Sequence, residues 1–362
     1  MKKMNGEMRR IGRTLFHNLS TNFFSIFNHF MPFFRINSSL FHIISKVLSK
    51  ILVFSILILI FAGALVKSYE VGLSVPDWPT TYGYQMFQFP FSDMVGGIFY
   101  EHGHRMIATV VGFMTLILSI IVYLSDNDLW LKKLTFSALG LVIIQGLFGG
   151  LTVLLYLPAY ISIIHAILAQ TFFVLIIFIS VSLSKKDKKN LESRSGISNL
   201  KKPAYFVAIS IYIQLILGAI MRHTESGLAI PDFPLSGGYI VPPFNQSMIN
   251  TIQSMHFDAG LQFVELYQII IHYFHRLGAF FVTLSIIYLS FRLLQLQLKF
   301  SIIHKLTLSI ILFLLLQIFL GAMTIWTVKN PLITSFHVLN GAIILGISSL
   351  IVIHVRSLVQ IN

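Results

Sequence analysis

The sequence predicts an all-α membrane protein: eight transmembrane helices as two tandem four-helix bundles related by a pseudo-two-fold axis along the membrane normal. Three observations carry that prediction: an apolar composition, eight apolar runs of membrane length, and an internal repeat. Of 362 residues, 56% are hydrophobic and 11% charged, with a mean hydropathy of +0.81. Soluble domains carry about 25% charge. A soluble fold of this size has no interior large enough for so much apolar surface. The absence of cysteine excludes disulfides, thiolate metal sites, iron–sulfur clusters and cysteine nucleophiles.

Residues 1–49 read as a basic amphipathic arm. Lys2, Lys3, Arg9, Arg10 and Arg13 precede a helical stripe of Leu15, Phe16, Leu19, Phe23, Phe27 and Phe30, broken at Pro32. Such a stripe suits the membrane surface. A segment poor in acids and rich in Arg and Ser also fits an organelle transit peptide, and the surface arm is the preferred reading. Apolar runs follow near 50–69, 103–124, 134–156 and 162–184, which make a first bundle over 50–184. A basic linker spans 185–203. Runs near 204–222, 270–291, 306–327 and 332–354 make a second bundle over 204–356. Each run approaches the roughly 20 residues needed to cross a bilayer.

Charge placement orients the chain. The arm, the loop 125–133, the linker, the stretch 292–305 and the tail hold 21 of the 26 Lys and Arg residues with 5 acids. The other face holds Lys67, Arg105, Arg222, Arg276 and Lys329 with 8 acids. By the positive-inside rule both termini face the cytoplasm or matrix. The net charge of +13, which could suggest nucleic acid, is thus membrane topology, and no nucleic-acid partner is expected.

The repeat is direct. Gly63-Ala64-Leu65-Val66-Lys67 through Glu70, Gly72-Leu73, Val75-Pro76-Asp77-Trp78-Pro79 returns as Gly218-Ala219-Ile220-Met221-Arg222 through Glu225, Gly227-Leu228, Ile230-Pro231-Asp232-Phe233-Pro234. His104-Arg105 matches His275-Arg276, Gln145 and Gly149 match Gln317 and Gly321, and His165 matches His337. Four spans per half is an even number, so both halves keep one orientation.

Each half therefore places two histidines, His104 and His165, then His275 and His337, just inside the outer ends of parallel helices. Two imidazoles facing across a bundle can supply both axial ligands of a haem iron. A lone intramembrane His more often bonds a neighbouring helix, but four at matched depth favour a functional role. Metal binding without haem is disfavoured because no carboxylate cluster completes a compact site. Glu101 lies three residues before His104 on one helix face, and its counterpart in the second half is His272. A carboxylate there can relay protons to a bound haem, or can simply be an anion at a helix N-terminus. His102 points off that face and reads as structural. Arg105 and Arg276, with Lys67 and Arg222, stand where haem propionates would need cations, lipid snorkelling being the preferred reading for Lys67. The Pro-Asp-[Trp/Phe]-Pro loops read as rigid turns, and Gln145/Gly149 and Gln317/Gly321 as close-packing positions.

On these residues, from about 50 to 355, the chain resembles the haem A synthase family, membrane enzymes that oxidise haem O to haem A for terminal oxidases. The resemblance rests on Gly72–Pro79, Glu101-His102-Gly103-His104-Arg105, His165, the Gly227–Pro234 copy, His275-Arg276 and His337, in this order and duplicated. It implies a substrate haem O site at His104 and His165 with Glu101 as the catalytic group. It implies a haem b cofactor on His275 and His337, and conversion of the C8 methyl of haem O to a formyl group. It also implies dealings with haem O synthase (a farnesyltransferase), cytochrome oxidase assembly factors and an electron donor. The expected location is the bacterial plasma membrane, the mitochondrial inner membrane being the alternative. Many members carry a cysteine pair in an outer loop, and loops 71–100 and 223–269 have none here. A dihaem electron-transfer cytochrome is the runner-up reading. A transporter is third, disfavoured because the ionisable residues cluster at outer helix ends and not at the midplane.

Overall fold

The computed structural model describes residues 38–126, 128–185, 197–296 and 301–359. The arm over 1–37 and most of the linker lie outside the described residues. Among the described residues nine α-helices follow one another: α1 (Ser38–Ser68), α2 (Gly97–Ser125), α3 (Leu129–Leu154), α4 (Ala159–Lys185), α5 (Lys201–His223), α6 (Gln246–Asp258), α7 (Leu266–Gln295), α8 (Ile302–Trp326) and α9 (Pro331–Val359). Eight of them, all but α6, are long and apolar enough to cross a membrane. The described residues form no strand beyond two isolated bridges. The chain is an all-α integral membrane protein.

Two features depart from the run-by-run expectation. Helix α1 begins at Ser38, so residues 38–49, read as arm, are continuous with the first span. Helix α6 is an extra outer helix in the long loop of the second half, where the mixed polarity of QSMINTIQSMHFD gave no membrane signal. Its start is set by Asn245, whose side chain accepts from Met248 N at 3.0 Å. It rests on a small core of its own, with Met248 and Ile252 against Ala229, Ile230 and Ile269.

Helices α1 to α4 touch in a closed ring, α1–α2–α3–α4–α1, and α5, α7, α8 and α9 touch in the corresponding ring. The rings meet through α1 on α9, α4 on α5 and α4 on α9. Interior side chains are aliphatic and aromatic: Leu52, Val111, Phe173 and Ile176 in the first ring, Val207, Ile286, Ile310 and Leu345 in the second. Large residues on the outer faces, such as Phe54, Phe113, Phe206 and Leu312, stay exposed because lipid is as apolar as they are. Helix α9 is the most enclosed. Of its membrane window 67% is buried, against 17–39% for the other seven. Ala342 and Ile353 of α9 also belong to the first ring's core, so this helix serves both halves.

The outer loops have one shape, twice. Asp77 accepts from Thr80 Oγ1 (2.5 Å), Tyr82 N (2.8 Å) and Gly83 N (3.0 Å), while Asp232 accepts from Gly237 N (2.7 Å) and Gly238 N (2.9 Å). Gly83 and Gly238 share φ = 81°, a left-handed value that favours glycine. Trp78-Pro79 and Phe233-Pro234 are both cis, and the bridges Thr81–Tyr84 and Ser236–Tyr239 correspond. These loops are the rigid turns the sequence predicts.

Candidate functional site

Each of the four predicted histidines lies within the first ten residues of its helix, about 9–14 Å below the outer end at 1.5 Å per residue. His104 is on α2, His165 on α4, His275 on α7 and His337 on α9. His104 and His165 thus lie on helices of the first ring, and His275 and His337 on helices of the second. All four are half-buried.

Every one of these rings is set against a glycine of a neighbouring helix. A Cβ on Gly63 would stand 2.9 Å from His104 Cε1. On Gly149, Gly218 and Gly321 it would stand 3.2 Å from Cε1 of His165, His275 and His337 respectively. A side chain at Gly63 would have to move the His104 ring, and at the other three the ring would have to give by a few tenths of an ångström. Gly149 and Gly321 are thus close-packing positions, as read from sequence, and what they pack against is a histidine. The same part played by Gly63 and Gly218 was missed, although both open the repeated segment. Amides support the rings: Gln145 Nε2 lies 3.3 Å from His165 Nε2, Gln317 Nε2 lies 3.3 Å from His337 Nε2, and Gln214 Nε2 lies 3.1 Å from His275 Nδ1. Gln214 was also missed; a lone Gln in an apolar span was its only signal.

Above the histidines, the residues expected to meet haem directly grip the outer loops. Glu101 is 3% exposed; its Oε2 accepts from Val75 N at 2.8 Å and its Oε1 from Arg105 Nη2 at 2.5 Å. Arg105 donates further to the carbonyls of Val75 (2.7 Å), Asp77 (2.7 Å) and Thr80 (3.2 Å). Arg276 does likewise to Asp232 (3.0 Å), Pro234 (2.7 Å) and Leu235 (2.9 Å). These hydrogen bonds occupy most of each guanidinium's fork. In the second half Ile230 N, the counterpart of Val75 N, donates to His272 Nδ1 at 3.1 Å. Glu101 and His272 therefore accept the same loop amide in their two halves. His102 is structural, as expected: its Nδ1 meets Thr81 Oγ1 at 2.8 Å. Partial burial raises the Asp77 carboxyl, but its bonds from Thr80, Gly83 and Tyr82 outweigh that and hold it below the usual value.

The halves are tied at the outer surface. Glu225 pairs with Lys67 and, at 3.6 Å, with Lys329. Half-buried Arg222 donates from Nη2 to Ala64 O (2.5 Å) and Ser68 Oγ (2.9 Å), and Ser335 Oγ donates to Ser68 Oγ at 3.0 Å. Lys67 thus has a protein partner, where a lipid headgroup was the expectation.

Two imidazoles on helices of one ring are a donor set for the two faces of an iron macrocycle. The glycine notches seat each of the four rings against a neighbouring helix. Among the described residues no group of three His, Asp or Glu could hold a bare metal ion. The four histidines fit haem.

The family model COX15-CtaA, described as cytochrome oxidase assembly protein, matches residues 46–349. The chain belongs to this family of cytochrome oxidase assembly proteins. The COX15-CtaA match begins inside α1, ends inside α9 and contains all four histidines and both loops. Similar curated proteins bear the name Heme A synthase. The one from Listeria monocytogenes is 24% identical over 297 residues, covering 81% of this chain and 89% of its own. That of Alkalihalophilus pseudofirmus is 27% identical over 199 residues, covering 54% and 66%. That of Symbiobacterium thermophilum is 24% identical over 194, covering 52% and 62%.

Proposed function

We propose that the chain is a haem A synthase, an oxidoreductase that converts the C8 methyl of haem O to a formyl group and so supplies haem A to cytochrome oxidase. The observation that carries the reading is the set of four histidines, two in each ring of helices, each imidazole seated on a glycine. Membership of the cytochrome oxidase assembly family and relatives named Heme A synthase support it. Haem O is the substrate between His104 and His165, and haem b is held by His275 and His337. Haem b, when bound, supplies a one-electron couple. The residues of the chain orient both macrocycles, exclude water from their faces and, through the loops, close the outer end of each pocket. Glu101 acts on the substrate side as the one carboxylate buried near His104, held there by Arg105 and the Val75 amide. Arg105 and Arg276 reach haem propionates through the loops they grip. The two halves are related by the pseudo-two-fold axis, both termini face the cytoplasm, and the host membrane is the bacterial plasma membrane. Haem O synthase, oxidase assembly factors and an electron donor are the partners.

A dihaem electron carrier is the second reading, favoured by one observation: Glu101 and His272 accept equivalent loop amides, which makes the two sites alike. Extracting and chromatographing the haems of the purified protein separates the two. Haem B together with haem O, its hydroxylated form or haem A is the expected result. Haem B alone, from a host that also makes haem O, would overturn the synthase reading.

A further inference from the structure

The helix that carries the first histidine of each half is led into by an outer segment with large apolar side chains facing outward. Before and at the start of α2 these are Phe91, Val95 and Phe99, between 57% and 76% exposed. Before and at the start of α7 they are Phe257, Phe263 and Tyr267, between 53% and 74% exposed. Neither segment is loose. Phe91–Asp93 is a 3₁₀ turn, and Phe89 just before it is buried against the rings of Tyr84 and His102. Between α6 and α7, Leu261 N donates to His256 O at 2.8 Å and Gln253 Nε2 to Val264 O at 2.7 Å. The ring nitrogens of His256 lie 2.6 Å from Gln262 O and 3.1 Å from Leu228 O. Phe257 and Phe263 are therefore held outward, an unfavourable place for apolar surface if water is what they meet.

The helices they lead into show what covers them. Tyr267, Phe274, Phe281 and Tyr288 recur every seven residues along α7, and all are more than half exposed. That spacing keeps them on one face, and so apolar a face on a membrane span meets lipid. Phe99, Phe113 and Ile120 trace a similar face on α2. The exposed outer residues continue these faces. At 1.5 Å per residue, the 30 residues of α7 span about 45 Å, the thickness of a bilayer with its headgroup layers. Phe263 stands three residues before that helix begins, which puts the turn at the outer headgroup layer. No Lys or Arg occurs over 68–104 or 223–275, whereas Asp93, Asp258 and Glu265 do, so attraction to anionic headgroups has no part in the contact.

We propose that the two segments are interfacial anchors, which insert Phe91, Val95, Phe257 and Phe263 among the lipids of the outer leaflet through apolar contact alone. Each anchor is tied to the loop that closes its half. In the first, Phe89 stacks on Tyr82, whose hydroxyl donates to Ser74 O at 2.6 Å. In the second, Met248 and Ile252 of α6 pack on Ala229 and Ile230. Insertion thus sets the height of both Pro-Asp-aromatic-Pro loops above the histidines.

The chain has no cysteine, so one introduced cysteine takes a label without background. F91C, F257C and F263C, each carrying a nitroxide, are compared in phosphatidylcholine nanodiscs with F113C on a lipid-facing span and T251C on the exposed side of α6. Collisions with oxygen, which concentrates in lipid, and with a water-soluble nickel chelate read the depth of each label. The three anchor labels are expected to favour oxygen, as F113C does, while T251C favours nickel. An anchor label that favours nickel lies in water, and one shielded from both reagents lies against protein, as in a contact between copies. Either result overturns the anchor to which that residue belongs and leaves the proposed function standing. Helical circular dichroism identifies a misfolded variant; V95C then replaces F91C, and F257C and F263C stand in for each other.

Discussion

A single missing methyl group decides where each histidine ring sits. Because the Cε1 edge of His275 occupies the space a Cβ on Gly218 would need, Gly218→Ala must push either the ring or helix α5 aside. Overpacking of this kind costs about 1–3 kcal/mol, and here it displaces a proposed ligand directly. We expect Gly218→Ala to lower the haem B content of the purified protein and alter its Soret absorbance. Gly140→Ala, a helical glycine with nothing within 4 Å of its would-be Cβ, should change neither. At this scale the sequence was informative about identity and silent about orientation. The four histidines stand out as ionisable groups in apolar spans. The glycines that seat them resemble any small residue in a membrane helix, because the contact depends on how two helices cross.

At the scale of elements, each Pro-Asp-aromatic-Pro loop is fastened to the helix bearing the first histidine of its half. An amide is accepted by Glu101 or His272, and carbonyls are gripped by Arg105 or Arg276. The repeat made both loops legible as rigid turns. The grip was not legible, since it joins residues about 26 to 44 apart through backbone atoms that carry no residue-type signal. It also recasts the Glu101/His272 asymmetry, for an imidazole can accept that hydrogen bond as a carboxylate does. Glu101→His separates the two roles. The variant should keep residues 74–80 protected from hydrogen exchange, because the Val75 amide retains an acceptor. Its haem A output should fall by about 100-fold, the scale of a lost acid–base group. Full haem A output with the loop intact would reduce Glu101 to a loop support.

At the scale of the molecule, two rings of four helices are fastened by charges at their outer ends and by α9 through their middle. Partial burial raises the Glu225 carboxyl, and Lys67 and Lys329 outweigh that, holding it below its usual value of 4.5. A carboxyl lowered on folding stabilises the fold above its unfolded value and loses that contribution as pH falls through the folded one. The thermal midpoint of wild type should therefore drop on acidification below about pH 4.5. Glu225→Gln should start lower at neutral pH and show a flatter dependence, and added salt should narrow the gap because the pair is half exposed. Eight spans, their order and the duplication were all readable from apolar runs and motif spacing. The central place of α9 was not, since its composition resembles that of its neighbours and only packing enclosed it. That enclosure has a consequence for biosynthesis. Helix α9 leaves the ribosome after the other seven spans, and it carries His337 and the residues that join both cores. Until it inserts, α1 and α4 wait in the bilayer with unmatched faces, and the second histidine pair does not exist. On the proposed function, haem is captured there only after α9 has been made, which places loading of that site late in synthesis.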